Sequence, residues 1–248
     1  MRVDYNFDDI APRRTVVAIG SFDGVHRGHR VLLEHLRAMA ARLDAESVVL
    51  TFDPHPRIAM GRAEGLQLLT TIEERAMLLG DAGIDRMVVA RFDDKFRAQP
   101  YESFVRETLV ARLGMVGMIV GYNHRLGQGS EGNYERLEPL AEECGFELEC
   151  VAQYTASGDK ISSTVVRNVI LGGDMRRAEM LLGSRYMVYG EAIVGVMQNI
   201  DPQKQLPPSG SYPCHVVCGD SVEEHTVIID TRTILIPSHH TGSVKLLF

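Results

Sequence analysis

Five short runs rich in β-branched and other apolar residues punctuate the first 152 residues: "TVVAIG" (15–20), "SVVLTF" (47–52), "DRMVVARF" (85–92), "VGMIVG" (116–121) and "FELECVA" (146–152). Helical patterns separate them. Runs with little polar alternation read as strands covered on both faces, and helices between successive strands require right-handed crossovers. The order therefore predicts an α/β fold with a doubly wound, parallel, five-stranded sheet.

The intervening segments carry helix signals of their own. Val31, Leu32, Leu36, Met39 and Leu43 mark one face of a helix over 28–43. "TIEERAMLLG" opens on a capping box from Thr71 to Glu74 and ends at the glycines 80 and 83. Further helices are expected at about 101–113 and 134–144, and two short ones in "SSTVVRNVILGG" and "DMRRAEMLLG". From Tyr186 the pattern becomes strand-like: "RYMVYGEAIVGVM", "SYPCHVVCG", "EHTVIID" and "TILI", interrupted by "DPQKQLPPSG". A boundary near residue 185 then divides the chain into a domain of 1–185 and a small all-β piece of 186–248, which can bury little surface alone.

Composition removes several function classes. A formal charge of −7 argues against nucleic acid or an anionic membrane as the main partner, because polyphosphate surfaces need a basic face. The N-terminal residues lack the apolar core of a signal peptide, and no stretch has the length of a membrane span, so a cytoplasmic address is expected. Cys144, Cys150, Cys214 and Cys218 are too scattered for a disulfide framework. "CHVVC" (214–218) lacks a second ligand pair for zinc, so no metal site is expected.

Ligands of open parallel sheets bind beyond the carboxyl ends of strands, where the strand order reverses. If the order is 3-2-1-4-5, the loops after the first and fourth strands, "SFDGVHRGH" and "YNHRLGQGSEGN", flank that crevice. Gly24 and Gly28 allow close backbone approach, and the free N–H groups of a helix starting near Gly28 favour an anion. His26 and His29 can donate ring N–H bonds to phosphate there. Spacing alone leaves two other readings open: solvated loop histidines, or Asp23, His26 and His29 as three metal ligands.

The motif "GSFDGVHRGH" (20–29) resembles the opening motif of the HxGH nucleotidyltransferases, specifically the bacterial bifunctional riboflavin kinase/FAD synthetase family. "TFDPHPR" (51–57), "VGYNHRLGQGSEGN" (120–133) and "ISSTVVR" (161–167) follow in that family's order. The resemblance implies a Rossmann-like domain that joins FMN to ATP, giving FAD and pyrophosphate with Mg²⁺ carried by ATP. On this basis Gly20, Ser21, Phe22, Asp23 and Gly28 line the ATP site. His26, His29 and Arg167 act on its phosphates, helped by Ser162, Ser163 and Thr164. The third motif implies Asn123 and Arg125 as flavin contacts, and Leu126 stands where the family usually has phenylalanine. His55 and Arg57 are assigned either to the flavin or to a stiff Pro-bounded turn; His35 and His124 are read as structural.

"RYMVYGEAIVG" resembles the first strand of the family's kinase module. Where a glycine-rich ATP loop should follow, this chain has "VMQNIDPQKQLPPSGSYP". The expectation is an adenylyltransferase without riboflavin kinase activity, whose β piece covers a sheet edge or mediates self-association. A different phosphomonoester acceptor, or a non-catalytic flavin- or nucleotide-binding regulator, are the competing readings.

Overall fold

The computed structural model describes residues 1–7, 10–123, 125–156, 159–237 and 240–248. The chain packs into two compact units that do not follow chain order. The first holds Met1–Phe22, Gly28–Glu64 and Ala76–Ser157; the second holds Asp23–Arg27, Gly65–Arg75 and Gly158–Phe248.

In chain order the first part contains β1 (Arg2–Tyr5), β2 (Thr15–Ile19), α1 (Arg27–Arg42), β3 (Glu46–Asp53), α2 (Pro56–Ala59), α3 (Ile72–Asp81) and β4 (Arg86–Arg91). It continues with α4 (Asp94–Arg97), α5 (Tyr101–Ser103), a π-helix (Phe104–Arg112), β5 (Met115–Gly121), α6 (Tyr134–Cys144) and β6 (Glu147–Val151). The sheet runs β1-β4-β3-β2-β5-β6, with every neighbouring pair parallel. This is the expected 3-2-1-4-5 order with a sixth strand, β1, added at the edge. "RVDY" lacks a buried face, so no hydrophobic pattern announces it; Asp4 instead bonds Arg86 at 2.6 Å, and Arg86 also pairs with Glu46 at 3.0 Å. All five residues of β2 are buried, as an interior parallel strand requires.

The helix expected at 101–113 is present in extent but not in hydrogen-bond step, because 104–112 is a π-helix. Over nine residues the two ladders bury nearly the same set, here Phe104, Val105, Thr108 and Leu109, so spacing cannot tell them apart.

Past the short extended segments β7 (Thr155–Ala156) and β8 (Asp159–Lys160) come α7 (Ser163–Leu171) and α8 (Met175–Leu182). Strands β9 (Met187–Ile193), β10 (Val196–Gln198), β11 (Gly210–Cys218), β12 (Ser221–Asp230), β13 (Thr233–Leu235) and β14 (Gly242–Leu247) then form a closed antiparallel barrel, ordered β10-β13-β12-β11-β14-β9. β14 supplies the closure by pairing with both β11 and β9. By packing, Val166 and Ile170 of α7 and Ala178 and Leu182 of α8 share one core with Val188, Val227, Ile229 and Leu246 of the barrel. The helices of 163–182 thus belong with the barrel in space, although the expected linear division places them in the first domain.

Among the described residues no helix is long and apolar enough to cross a membrane. The four cysteines are free thiols.

Candidate functional site

The first unit contains a cavity of about 690 Å³ beyond the carboxyl end of β2, where Ile19, Gly20 and Ser21 form part of its wall. Phe52, Phe92, Phe96 and Phe104, four of the chain's eight phenylalanines, line it from β3, the β4 exit, α4 and the π-helix. They contact one another edge-on or tilted, with centroids 5.3–5.7 Å apart. Such pairs lock their rings and leave faces available to a planar guest. Arg62, Arg97 and Arg125 add cationic groups to the same wall.

Of the flavin contacts implied by the sequence motifs, His55, Arg125 and Leu126 line this cavity; Asn123 and Arg57 are exposed and do not. His55 has the structural role of the Pro-bounded turn. Its Nδ1 accepts from Arg57 N at 3.2 Å, capping α2, while the buried ring also faces the cavity. Leu126 is 7% exposed and its backbone bridges to Gly132, so an aliphatic wall stands at that position. Sequence reasoning missed Phe92, Phe96 and Phe104. The only signal was the local density of aromatics in "RFDDKF", because their convergence depends on strand order. His124 lies outside the described residues.

At the β2 exit Ser21 O accepts from Thr51 Oγ1 at 3.1 Å. Phe22 is buried and its ring packs on His29, centroids 5.0 Å apart. His29 thus sits in the first turn of α1, beside Gly28, with its ring braced by a neighbour.

The second unit holds Asp23, His26, Ser162, Ser163, Thr164 and Arg167. Asp23 is fully buried. Its Oδ1 accepts from Thr70 N (2.9 Å) and Thr70 Oγ1 (3.1 Å), and its Oδ2 from Leu69 N (3.1 Å) and Arg167 (2.8 Å). Arg75 adds a second guanidinium at 3.8 Å. Burial raises the Asp23 pKa, but the two guanidiniums and two amides outweigh it and hold the carboxyl below its ordinary value. With its lone pairs so committed, Asp23 has none left for a metal, which removes the three-ligand metal reading. Among the described residues no three His, Cys, Asp or Glu side chains are placed to hold a metal ion.

Close approach explains the glycine that follows. Gly24 has φ +83° and donates its N–H to Thr70 Oγ1 at 3.2 Å, and a Cβ there would lie 2.6 Å from Leu69 Cδ1. Val25, a β-branched residue, is held at φ +40°, a costly conformation that neighbouring contacts must enforce. His26 is buried, and desolvation is the first reason its pKa falls to about 4; Arg167 lowers it further while Asp23 opposes. His26 is therefore a neutral imidazole at pH 7.

The "SST…R" segment is more structural than its resemblance implies. Ser162 caps α7 by accepting from Val165 N at 3.4 Å, and Ser163 Oγ donates to Asp23 O at 2.9 Å. Thr164 is exposed in the first turn. Arg167 gives one nitrogen to Asp23, while its buried Nε has no hydrogen-bond partner among the described residues.

A parallel sheet in doubly wound order, with an aromatic cavity beyond the carboxyl end of β2 in the same unit, defines a Rossmann-like α/β protein. The chain belongs to the FAD synthetase family, whose model matches residues 8–165. It is 31% identical over 191 residues to the bifunctional riboflavin kinase/FMN adenylyltransferase of Escherichia coli K12, covering 77% of this chain and 61% of that protein. It is 35% identical over 181 residues to the protein of the same name from Listeria monocytogenes, covering 73% and 57%. A shorter relative from Geobacillus thermodenitrificans, described as a putative bifunctional riboflavin kinase/FMN adenylyltransferase, is 36% identical over 169 residues and is 89% covered. The matches to the first two thus span about three fifths of those relatives' length. A solved structure from Streptococcus pneumoniae, described as a macrolide-efflux protein, shares the fold: TM-score 0.84 over 99% of this chain and 88% of that one, at 21% identity.

Proposed function

We propose that the protein is an FMN adenylyltransferase: an oxygen of the FMN phosphate attacks the α-phosphorus of ATP, a new P–O bond forms, and the bond to the β-phosphate breaks to release pyrophosphate. The cavity of the first unit carries this reading. At about 690 Å³ it lies within the range of small-ligand sites, and it pairs a phenylalanine wall with arginines, matching a flat ring that bears a phosphate tail. Family membership supports the same chemistry, and the wall answers the loss of an aromatic at Leu126.

The nucleophile needs no strong base, because a phosphate monoester with a second pKa of about 6 is already mostly dianionic at pH 7. What remains is positioning and charge stabilisation. On this reading His29 donates an N–H bond to the phosphates of ATP, with Gly20, Ser21, Phe22 and Gly28 shaping the backbone around the nucleotide, while the phosphate roles of His26 and Arg167, in the second unit, rest on the family motifs alone. Asp23 orients Arg167 instead of touching ATP, and Thr164 is the hydroxyl of the "SST" run left open to ligand. Mg²⁺ enters with ATP, whose phosphate oxygens are its natural ligands.

The reading includes the absence of riboflavin kinase activity, supported by the "DPQKQLPPSG" segment in place of a glycine-rich loop. The test incubates purified protein with ATP, Mg²⁺ and a panel of phosphomonoesters, scored for pyrophosphate, with riboflavin as a separate substrate. FAD from FMN and no FMN from riboflavin are expected. Another dinucleotide product would reassign the acceptor, and flavin binding without turnover would make the protein a sensor.

A further inference from the structure

The segment that replaces the glycine-rich loop is not a free linker. Residues 204–207 are buried. Leu68 N donates to Gln203 O at 2.6 Å and Gln205 N to Leu68 O at 2.8 Å, so the segment lies parallel to the stretch that precedes α3. Tyr186 donates its hydroxyl to Gln205 O at 2.6 Å, and Arg232 donates to the carbonyls of Lys204 and Asp201.

Lys204 is 1% exposed, and its three N–H donors are all used: on Glu74 Oε2 (2.6 Å), Leu69 O (2.6 Å) and Met187 O (2.7 Å). Glu74, fully buried, also accepts from Thr71 N through the capping box and from Tyr189 N of β9 at 2.8 Å. Leu69, Thr70 and Arg75 are the very groups that fix Asp23, and Asp23 in turn pairs with Arg167 three residues before His26. An unbroken chain of buried polar contacts therefore runs within the second unit from the barrel to the phosphate-handling loop. A buried ion pair is a weak way to add stability, since apolar side chains of similar volume often do as well or better. What it enforces is one register.

We propose that Lys204 is a positioning residue, and that 201–206 is the strap through which the barrel fixes the loop carrying Asp23 and His26. The catalytic consequence rests on the adenylyl-transfer reading above; the mechanical one does not.

Two variants test it: Lys204→Met, and Lys204→Met with Glu74→Gln, which removes the buried unpaired carboxylate if the single variant folds poorly. Thermal melting and FMN binding establish folding. Hydrogen exchange followed by mass spectrometry should then show amides of 69–75 and 23–27 exchanging at least about tenfold faster, the loss of one charged hydrogen bond, with β2–β5 unchanged. FAD formation should fall about 10- to 100-fold in kcat, as for a displaced catalytic group, while the KM for FMN stays within about twofold. A folded variant with wild-type exchange at 23–27, or with wild-type kcat, overturns the proposal. Should the wild-type protein make no FAD, the adenylyl-transfer reading fails and the exchange experiment alone decides the strap.

Discussion

The aromatic cavity and the Asp23 cluster represent opposite ways of building a site. In the cavity, four phenylalanines share one apolar surface, and each contributes modest, interchangeable contact. Around Asp23, two guanidiniums, two amides and a hydroxyl converge on two oxygens, and each partner has one position it can occupy. Dispersion tolerates substitution; a saturated buried ion cluster does not. Leu126 lies in that tolerant wall, whereas the "FDGVH" segment, fixed through Asp23, admits few alternatives.

That contrast is most open to attack at Asp23. Asp23→Ala leaves Arg75 and Arg167 as uncompensated buried charges, and urea unfolding at pH 7 should show a loss of about 3–5 kcal/mol. A loss near that of an exposed carboxylate would dissolve the distinction between the two regions. His29→Ala should keep the fold but lower FAD turnover by about 10²–10³, the usual effect of removing one preorganised donor; near-normal turnover in a folded variant refutes its role.

The pH dependence separates two buried groups. His26 falls from 6.5 unfolded to about 4 folded, so below pH 6.5 the unfolded chain binds a proton that the native state refuses. Its contribution to stability is complete above pH 6.5 and is lost progressively toward pH 4, by about 3 kcal/mol in all. Asp23, whose folded pKa lies below its ordinary value, loses its contribution only at lower pH still. Urea midpoints from pH 7 to 4 should thus decline in the wild type and flatten in His26→Gln. The smallest effect belongs to the cavity: Phe92→Leu should weaken FMN binding by about 0.5–1.5 kcal/mol of aromatic contact, read by quenching of flavin fluorescence.

Much of this was legible in the sequence, and the misses share a cause. The four interior strands, β2 to β5, announced themselves because both of their faces are buried, and β6, half-exposed at the far edge, was legible from the apolar residues of "FELECVA". The capping box at Thr71 and Glu74 forms as its spacing demands. Edge strand β1 went unread because it buries little, and β14 because "GSVKLL" acquires meaning only as the strand that closes the barrel. The loop after β2 was legible as a strand-to-helix connection, but spacing could not reveal that Asp23 turns inward to Arg167, a partner 144 positions away. Lys204 was hidden for the same reason: a lysine in a Pro-rich stretch reads as solvated until its partners at 69, 74 and 187 are in place.

One labelling experiment bears on the central claim most directly. With FMN, Mg²⁺ and ATP labelled at the α-phosphate, the account predicts that label passes into FAD one-for-one with pyrophosphate released. Label confined to ATP and its hydrolysis products, with flavin bound but unchanged, would contradict it.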